Sequence, residues 1–440
     1  MLRLATPLVV AELGWMGEGI VDTMMVGRVS AEAIGAVSLG TVLFYTVSIF
    51  GSGLMLGLDT LISQAFGARR ISDCHRSLVN ALYLIIPLAP ALMLVCWGSM
   101  PLLRSFGIHP AILRETLPFL NALNWSTLPL MLYFAFRRYL QAMNLVKPIM
   151  FALVTTNLIN IAGNWILIYG HLGAPAMGAE GSGWATCISR VYLAGYLIAY
   201  AAHHDRRHGT GLLEGPLGPD FARIRRIVIL GLPAAAQLTL EVAVFAAATA
   251  LVATLDPLSL AAHQIALNTA SLTFMVPLGI SSAAAVRVGQ ALGRRDPAAA
   301  ARSGWTAMVL GVGFMSCAAA VMLAVPEYVA RIYTTDPAII GIAVSLLAVA
   351  AAFQLFDGIQ IVATGALRGA GDTRTPMICH LLCYWLLGVP LGYMLCFKLG
   401  WGAVGLWIGL CVALIAIGCV LLLAWRRKVR TMAAVAAAVA

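Results

Sequence analysis

Three carboxylates interrupt the first apolar stretch of the chain: Glu12, Glu18 and Asp22. An ionised side chain at the centre of a bilayer costs about 2.5 to 3.5 kcal/mol even on the mild insertion scale, so each needs a partner, water or a bound proton. Glu18 and Asp22 lie one helical turn apart and Trp15 one turn before Glu18, which places all three on one face. Two carboxylates at that spacing repel when both are ionised, so the pair is suited to holding one proton in common, which is the chemistry of a proton carrier. The plainer alternative for Glu12 or Glu18 is a basic partner or water near a helix end. Further along, Asn157, Asn160 and Asn164 at i, i+3, i+7 draw a polar stripe on an apolar helix. Such amides can hold the Asp22 carboxylate or line a cation path, and they can equally serve as interhelical glue. The second half offers Gln237 with Glu241, Gln264 with Asn268, and Asp357 with Gln360 and Thr364. Hard oxygen donors of this kind suit Na⁺, with Glu241 and Asp357 as the ligands, while either acid could instead take a proton. The spans nearby hold almost no basic residues to form an ion pair, so a functional role is expected for both. Asp59, near the inner end of span two, is expected to make a helix-end or loop contact rather than to serve transport.

These residues require elements that cross a membrane. Hydrophobic residues make up 61% of the 440 and charged residues 10%, against roughly 25% charged in a soluble domain. Windows of about 20 apolar residues, enough for about 30 Å of hydrocarbon, can be placed at 4–25, 35–62, 77–99, 116–136, 148–169, 182–202, 226–253, 258–288, 303–325, 338–366, 376–397 and 402–424. The expected fold is therefore an all-α polytopic membrane protein of twelve transmembrane helices.

The windows are duplicated. Gln64-Ala65-Phe66-Gly67 returns as Gln290-Ala291-Leu292-Gly293 and Pro7 as Pro233, both at an offset of 226 residues; Pro148 returns as Pro376 at 228, and Gly178-Ala179-x-Gly181 as Gly402-Ala403-x-Gly405 at 224. Landmarks in register from first span to last indicate two copies of one module. Six spans return the chain to its starting side, so the copies insert in the same orientation as parallel repeats, the architecture of a transporter with its working site between repeats. The expected division is 1–205 for the first lobe, 206–225 for a cytoplasmic linker, 226–425 for the second lobe and 426–440 for a C-terminal tail, of which Thr431 to Ala440 is expected to fray.

The net charge of +10 does not call for a nucleic-acid partner. With both termini inside, 22 Lys and Arg fall on inner loops and tails and five (Arg28, Arg104, Arg114, Arg331 and Lys398) on outer ones, with Arg190 left inside span six. That bias is a topology signal. The acids of span one also interrupt any signal-peptide core. His203, His204 and His208 near the linker are read as part of a solvated, basic segment rather than a metal site. The nine cysteines show no zinc or disulfide spacing, and Gly17-x-Gly19 and Gly51-x-Gly53 are read as close helix contacts, not phosphate loops.

The same acids carry a family resemblance. Val21-Asp22-Thr23-Met24-Met25-Val26-Gly27, Asp59-Thr60-Leu61-Ile62-Ser63-Gln64, Ala262-His263-Gln264-Ile265-Ala266-Leu267-Asn268 and Leu367-Arg368-Gly369-Ala370-Gly371-Asp372 resemble, in order and nearly end to end, the multidrug and toxic compound extrusion (MATE) family. Acids at Glu241 and Asp357 make the resemblance strongest to its NorM-like branch. The resemblance implies two six-helix bundles in a V, alternating between inward- and outward-open states, that export cationic amphiphilic drugs and toxins in exchange for H⁺ or Na⁺. It implies no cofactor and no enzyme activity, a monomer, and a plasma (cell inner) membrane location. By the resemblance, Asp22 with Asn160 and Asn164 forms a first-lobe acidic site, and Glu241 with Asp357 a second-lobe cation site. Where that branch often has a tyrosine hydroxyl, this chain has Phe353, and Glu18 and Trp15 replace smaller or uncharged residues; these departures favour H⁺. Two other readings stand beside the exporter. A lipid-linked sugar flippase should line its cavity with basic residues, whereas the intramembrane charge here is acidic apart from Arg190. An intramembrane hydrolase should gather its acids with a nucleophile, whereas here they are spread over spans one, seven and ten.

Overall fold

The structure is a computed structural model that describes every residue except 104–108, 213, 215–217 and 440, and leaves undescribed the side chains of Ala31, Leu102 and 435–439. Arg104 of the outer-loop set and Gly215 and Pro216 of the linker therefore lie outside the described residues. Helices follow one another without a strand among the described residues. They are α1 (Leu2–Val26), α2 (Ala31–Met55), α3 (Gly57–Gly67), α4 (Ile71–Leu103), α5 (Pro110–Asn124), α6 (Thr127–Ala142), α7 (Lys147–Tyr169), α8 (Ala179–His208) and α9 (Phe221–Val252). There follow α10 (Pro257–Gly293), α11 (Pro297–Ala324), α12 (Pro326–Arg331), α13 (Pro337–Gly369), α14 (Arg374–His380), α15 (Val389–Tyr393) and α16 (Gly402–Val439). π-helical turns join α14 to α15 and extend α15 to Lys398, so one helical span runs Arg374–Lys398. In hydrocarbon each backbone N–H and C=O must be satisfied by the protein itself, and a helix does so within its own segment.

Among the described residues, eleven helical segments are long and apolar enough to cross a membrane. The expected fourth span differs in its form. Its window, 116–136, straddles α5 and α6, which are 15 and 16 residues long and meet at a break around Trp125 and Ser126. A similar break at Leu56 separates α2 from α3. The last residues from Thr431, expected to fray, continue α16 through Val439; alanine is the strongest helix former.

The repeat is visible in the backbone. Arg69 and Arg295, one 226 residues after the other, both take left-handed conformations, φ 60° and 59°, just beyond the ends of α3 and α10. Gly178 and Gly402, at the starts of α8 and α16, share a positive φ as well, 57° and 58°.

The chain forms two compact units. The first is Val10–Ala235, and the second joins Met1–Val9 to Ala236–Ala440. The division falls inside α1 and α9, between Val9 and Val10 and between Ala235 and Ala236. Within the first unit the early part of α9 is fitted against α2 and α3: a Cβ on Gly231 would stand 2.1 Å from the Leu54 carbonyl, and one on Gly57 2.6 Å from the Ile227 carbonyl. Within the second unit, the start of α1 meets α10, where a Cβ on Gly279 would lie 2.7 Å from the Val9 side chain. Such approaches need glycine, and small residues let membrane helices pack this closely.

The connection between the repeats is shorter than expected and is pinned. α8 runs to His208 and α9 begins at Phe221, so His203, His204 and His208 lie on the last turns of a helix. His75 Nε2 lies 2.9 Å from the Thr210 carbonyl, Asn80 accepts from the Asp220 backbone N–H at 2.7 Å, and Arg223 donates to Asp73 at 2.8 Å. No cluster able to hold a metal is found among the described residues.

Candidate functional site

In the first unit, α1 meets α7 and α8 at Asp22. Its Oδ1 accepts from the Asn164 amide at 2.6 Å and its Oδ2 from the Thr186 hydroxyl at 3.0 Å. Asn164 also donates to Asn160 Oδ1 at 3.0 Å, and Asn160 donates to Thr186 Oγ1 at 3.4 Å, closing a small network. Asn160 and Asn164 are fully buried and Thr186 nearly so. The asparagine stripe divides its work. Asn157 donates to the Gly14 carbonyl at 2.9 Å and to Leu153 O at 2.8 Å, tying α7 to α1 without touching Asp22. Thr186 was not among the sequence candidates. Its signal is weak, because threonine in a membrane helix usually returns its hydroxyl to its own backbone.

The other acids of α1 take different partners. Glu12 forms a buried ion pair with Arg137 of α6, whose guanidinium also donates to the Tyr133 hydroxyl at 3.0 Å. This is the basic-partner alternative for Glu12. Asp59, fully buried on α3, lies 3.6 Å from Arg138. Arg137 and Arg138, expected on an inner loop, are thus buried, paired residues of α6. Glu18 is buried, and its Oε1 has no hydrogen-bond partner. Beside it, Trp15 stacks on Tyr133 with ring centroids 5.7 Å apart and planes at 5°. Arg190 of α8 lies within Coulombic range of both Glu18 and Asp22.

In the second unit, α9 and α13 bring Glu241 and Asp357 to one amide. Gln360 Nε2 donates to Glu241 Oε1 at 3.2 Å and to Asp357 Oδ1 at 3.1 Å, while Gln237 donates to Glu241 Oε2 at 2.9 Å. The spans nearby were expected to hold almost no basic residues, and one imidazole stands there. His380 of α14 is fully buried, with Nε2 3.7 Å from Glu241 Oε2 and 3.0 Å from Gln360 Oε1, and with Nδ1 2.8 Å from the Pro376 carbonyl. The signal for it was present, an ionisable side chain within an apolar span, but counting Lys and Arg alone passes over histidine. The Tyr384 hydroxyl, one turn further on, is buried without a partner and lies in Coulombic range of Glu241 and Asp357. Phe353 stacks on Trp407, with centroids 5.9 Å apart. Gln264 is half-buried and Asn268 exposed, and neither is among the hydrogen-bond partners of the two acids.

Each unit therefore holds a buried carboxylate site whose oxygens accept from amide or hydroxyl donors. A site of this kind can exchange a proton or a small cation without needing a nucleophile or a cofactor.

A family profile described as MatE matches residues 7–166 and again 233–394, one copy for each repeat. The chain is 38% identical over 436 residues to the probable multidrug resistance protein NorM of Mesorhizobium japonicum, covering 98% of this chain and 93% of that one. It is 34% identical to the multidrug resistance protein MdtK of Yersinia pseudotuberculosis, covering 97% and 95%. Among solved structures, the eukaryotic MATE transporter AtDTX14 superposes with a TM-score of 0.88 at 20% identity over 99% of this chain and 98% of its own. A MATE protein in a bent conformation superposes with a TM-score of 0.90 at 19% identity over 99% and 96%. With two matches of the family profile in register and relatives above 30% identity end to end, this multi-pass membrane chain belongs to the multidrug and toxic compound extrusion (MATE) family of transporters.

Proposed function

We propose that the protein is a secondary antiporter exporting cationic, amphiphilic compounds in exchange for protons by alternating access, from the cell inner membrane, as a monomer with both termini in the cytoplasm. The observation that carries this reading is the presence of a buried acidic site in each of the two units, Asp22 with Asn164 and Thr186, and Glu241 with Asp357 and Gln360. Intramembrane acids of this kind mark ion and proton pathways. The names of the relatives, multidrug resistance proteins, support the substrate class. Proton rather than Na⁺ coupling is supported by the orientation of the donors. Gln237, Gln360 and Asn164 turn N–H groups toward the carboxylates, whereas a hard cation is held by oxygens converging on it.

Proteoliposomes loaded with ethidium, with pH and Na⁺ gradients imposed separately, test the reading. A pH gradient alone should drive transport and a Na⁺ gradient at fixed pH should not. Dependence on Na⁺ would make Glu241 and Asp357 its ligands. Movement of labelled lipid across the bilayer with no transport of the dye would favour the flippase.

A further inference from the structure

Arg190 is 2% exposed, yet no carboxylate among the described residues lies within ion-pair distance of it. Two other buried arginines, on α6, differ: Arg137 and Arg138 each have an acid within 4 Å. Arg190 instead donates to two hydroxyls, Ser126 Oγ at 2.7 Å and Tyr45 OH at 3.2 Å, and its Nε has no partner. Ser126 is available because α5 and α6 break there. The guanidinium carbon sits 4.9 Å from the Phe44 ring centroid and 5.8 Å from those of Trp15 and Tyr45. Three aromatic faces with Glu18 and Asp22 close by form the environment in which proteins bind delocalised organic cations. The chain's own cation fills it.

We propose that Arg190 is a tethered competitor for the substrate: the cage of Trp15, Phe44 and Tyr45 admits an organic cation only as the guanidinium withdraws, and Glu18 Oε1 is the acceptor to which it turns. This rests on the reading of the protein as an exporter of organic cations. A purely structural arginine would be expected to take the nearby carboxylate, because an unpaired buried charge is costly. Here Glu18 and Arg190 each keep an unpartnered polar atom. Two hydroxyl anchors hold the guanidinium less firmly than a bidentate carboxylate would, and this leaves it exchangeable. Planar, delocalised cations should be favoured, since they reproduce what the guanidinium offers the rings.

Equilibrium binding of ethidium to the purified full-length protein in detergent, read by fluorescence anisotropy, tests the proposal. Arg190→Gln should bind about tenfold more tightly than the wild type, the scale of a desolvated cation–π contact no longer contested. The gain should vanish when Trp15→Ala is added. Ser126→Ala, which removes one anchor and leaves the rings in place, should tighten binding by about threefold, and it decides the matter if Arg190→Gln does not fold. Unchanged or weaker binding in the folded variants, or a gain that survives Trp15→Ala, overturns the proposal. If the wild type exports no organic cation in liposomes, the functional reading fails instead; if it exports while the affinities stay unmoved, only the competition does.

Discussion

On α1 the acids Glu12 and Asp22 have opposite surroundings. Glu12 neutralises a buried guanidinium, so Glu12→Gln should leave Arg137 unpaired and cost about 3 to 5 kcal/mol of stability, seen as a large drop in the thermal midpoint of the detergent-solubilised protein. Asp22 is held by an amide and a hydroxyl that asparagine can still engage. Asp22→Asn, Glu241→Gln and Asp357→Asn should therefore yield folded membrane protein with little or no ethidium efflux. Normal efflux in all three would refute the assignment, and an unaltered midpoint in Glu12→Gln would mean that the Arg137 pair contributes nothing to stability.

At the scale of elements, α10 and α13 approach so closely that side chains are excluded between them. A Cβ on Gly365 would stand 2.3 Å from the Ser281 carbonyl, and one on Gly369 2.3 Å from that of Ala285. The two glycines are one turn apart and make a groove into which the α10 backbone fits, helped by Ser281 donating to the Ile361 carbonyl at 2.7 Å. Gly365→Ala should push the helices apart, costing about 1 to 3 kcal/mol and displacing Gln360 from Glu241, so both thermal stability and efflux should fall. Gly313→Ala on α11 meets nothing within 4 Å and should leave both measurements as they are. Equal behaviour of the two variants would show that the close approach is not what sets the site.

For the whole molecule, the linker and the boundary between the units do not coincide. The early part of α9 belongs to the first unit and Met1–Val9 to the second. Cutting the chain between Gly211 and Gly218 leaves two fragments that each contribute to both units. Co-expressed halves should therefore assemble, co-purify and retain efflux, because the contacts of Gly231 with Leu54 and of Gly279 with Val9 form between the fragments. Failure of the halves to co-purify would show that the covalent link is needed for assembly.

Span number, internal repeat and intramembrane acids were legible in the sequence because the cost of placing a residue in hydrocarbon is largely a property of that residue and its near neighbours. Spacing along one helix also put Asn157, Asn160 and Asn164 on a common face. Only the tertiary structure decided which of them faces Asp22 and which binds the α1 backbone, since that depends on how far the neighbouring helix covers the stripe. The pairing of Glu12 with Arg137, 125 residues away, and the arrival of His380 beside Glu241 were likewise undetermined by spacing. Helical periodicity fixes the direction of a side chain from its own axis, whereas its partner is chosen by the rotation and offset of another helix, and those are set by close glycine contacts and by the breaks at Leu56 and Ser126.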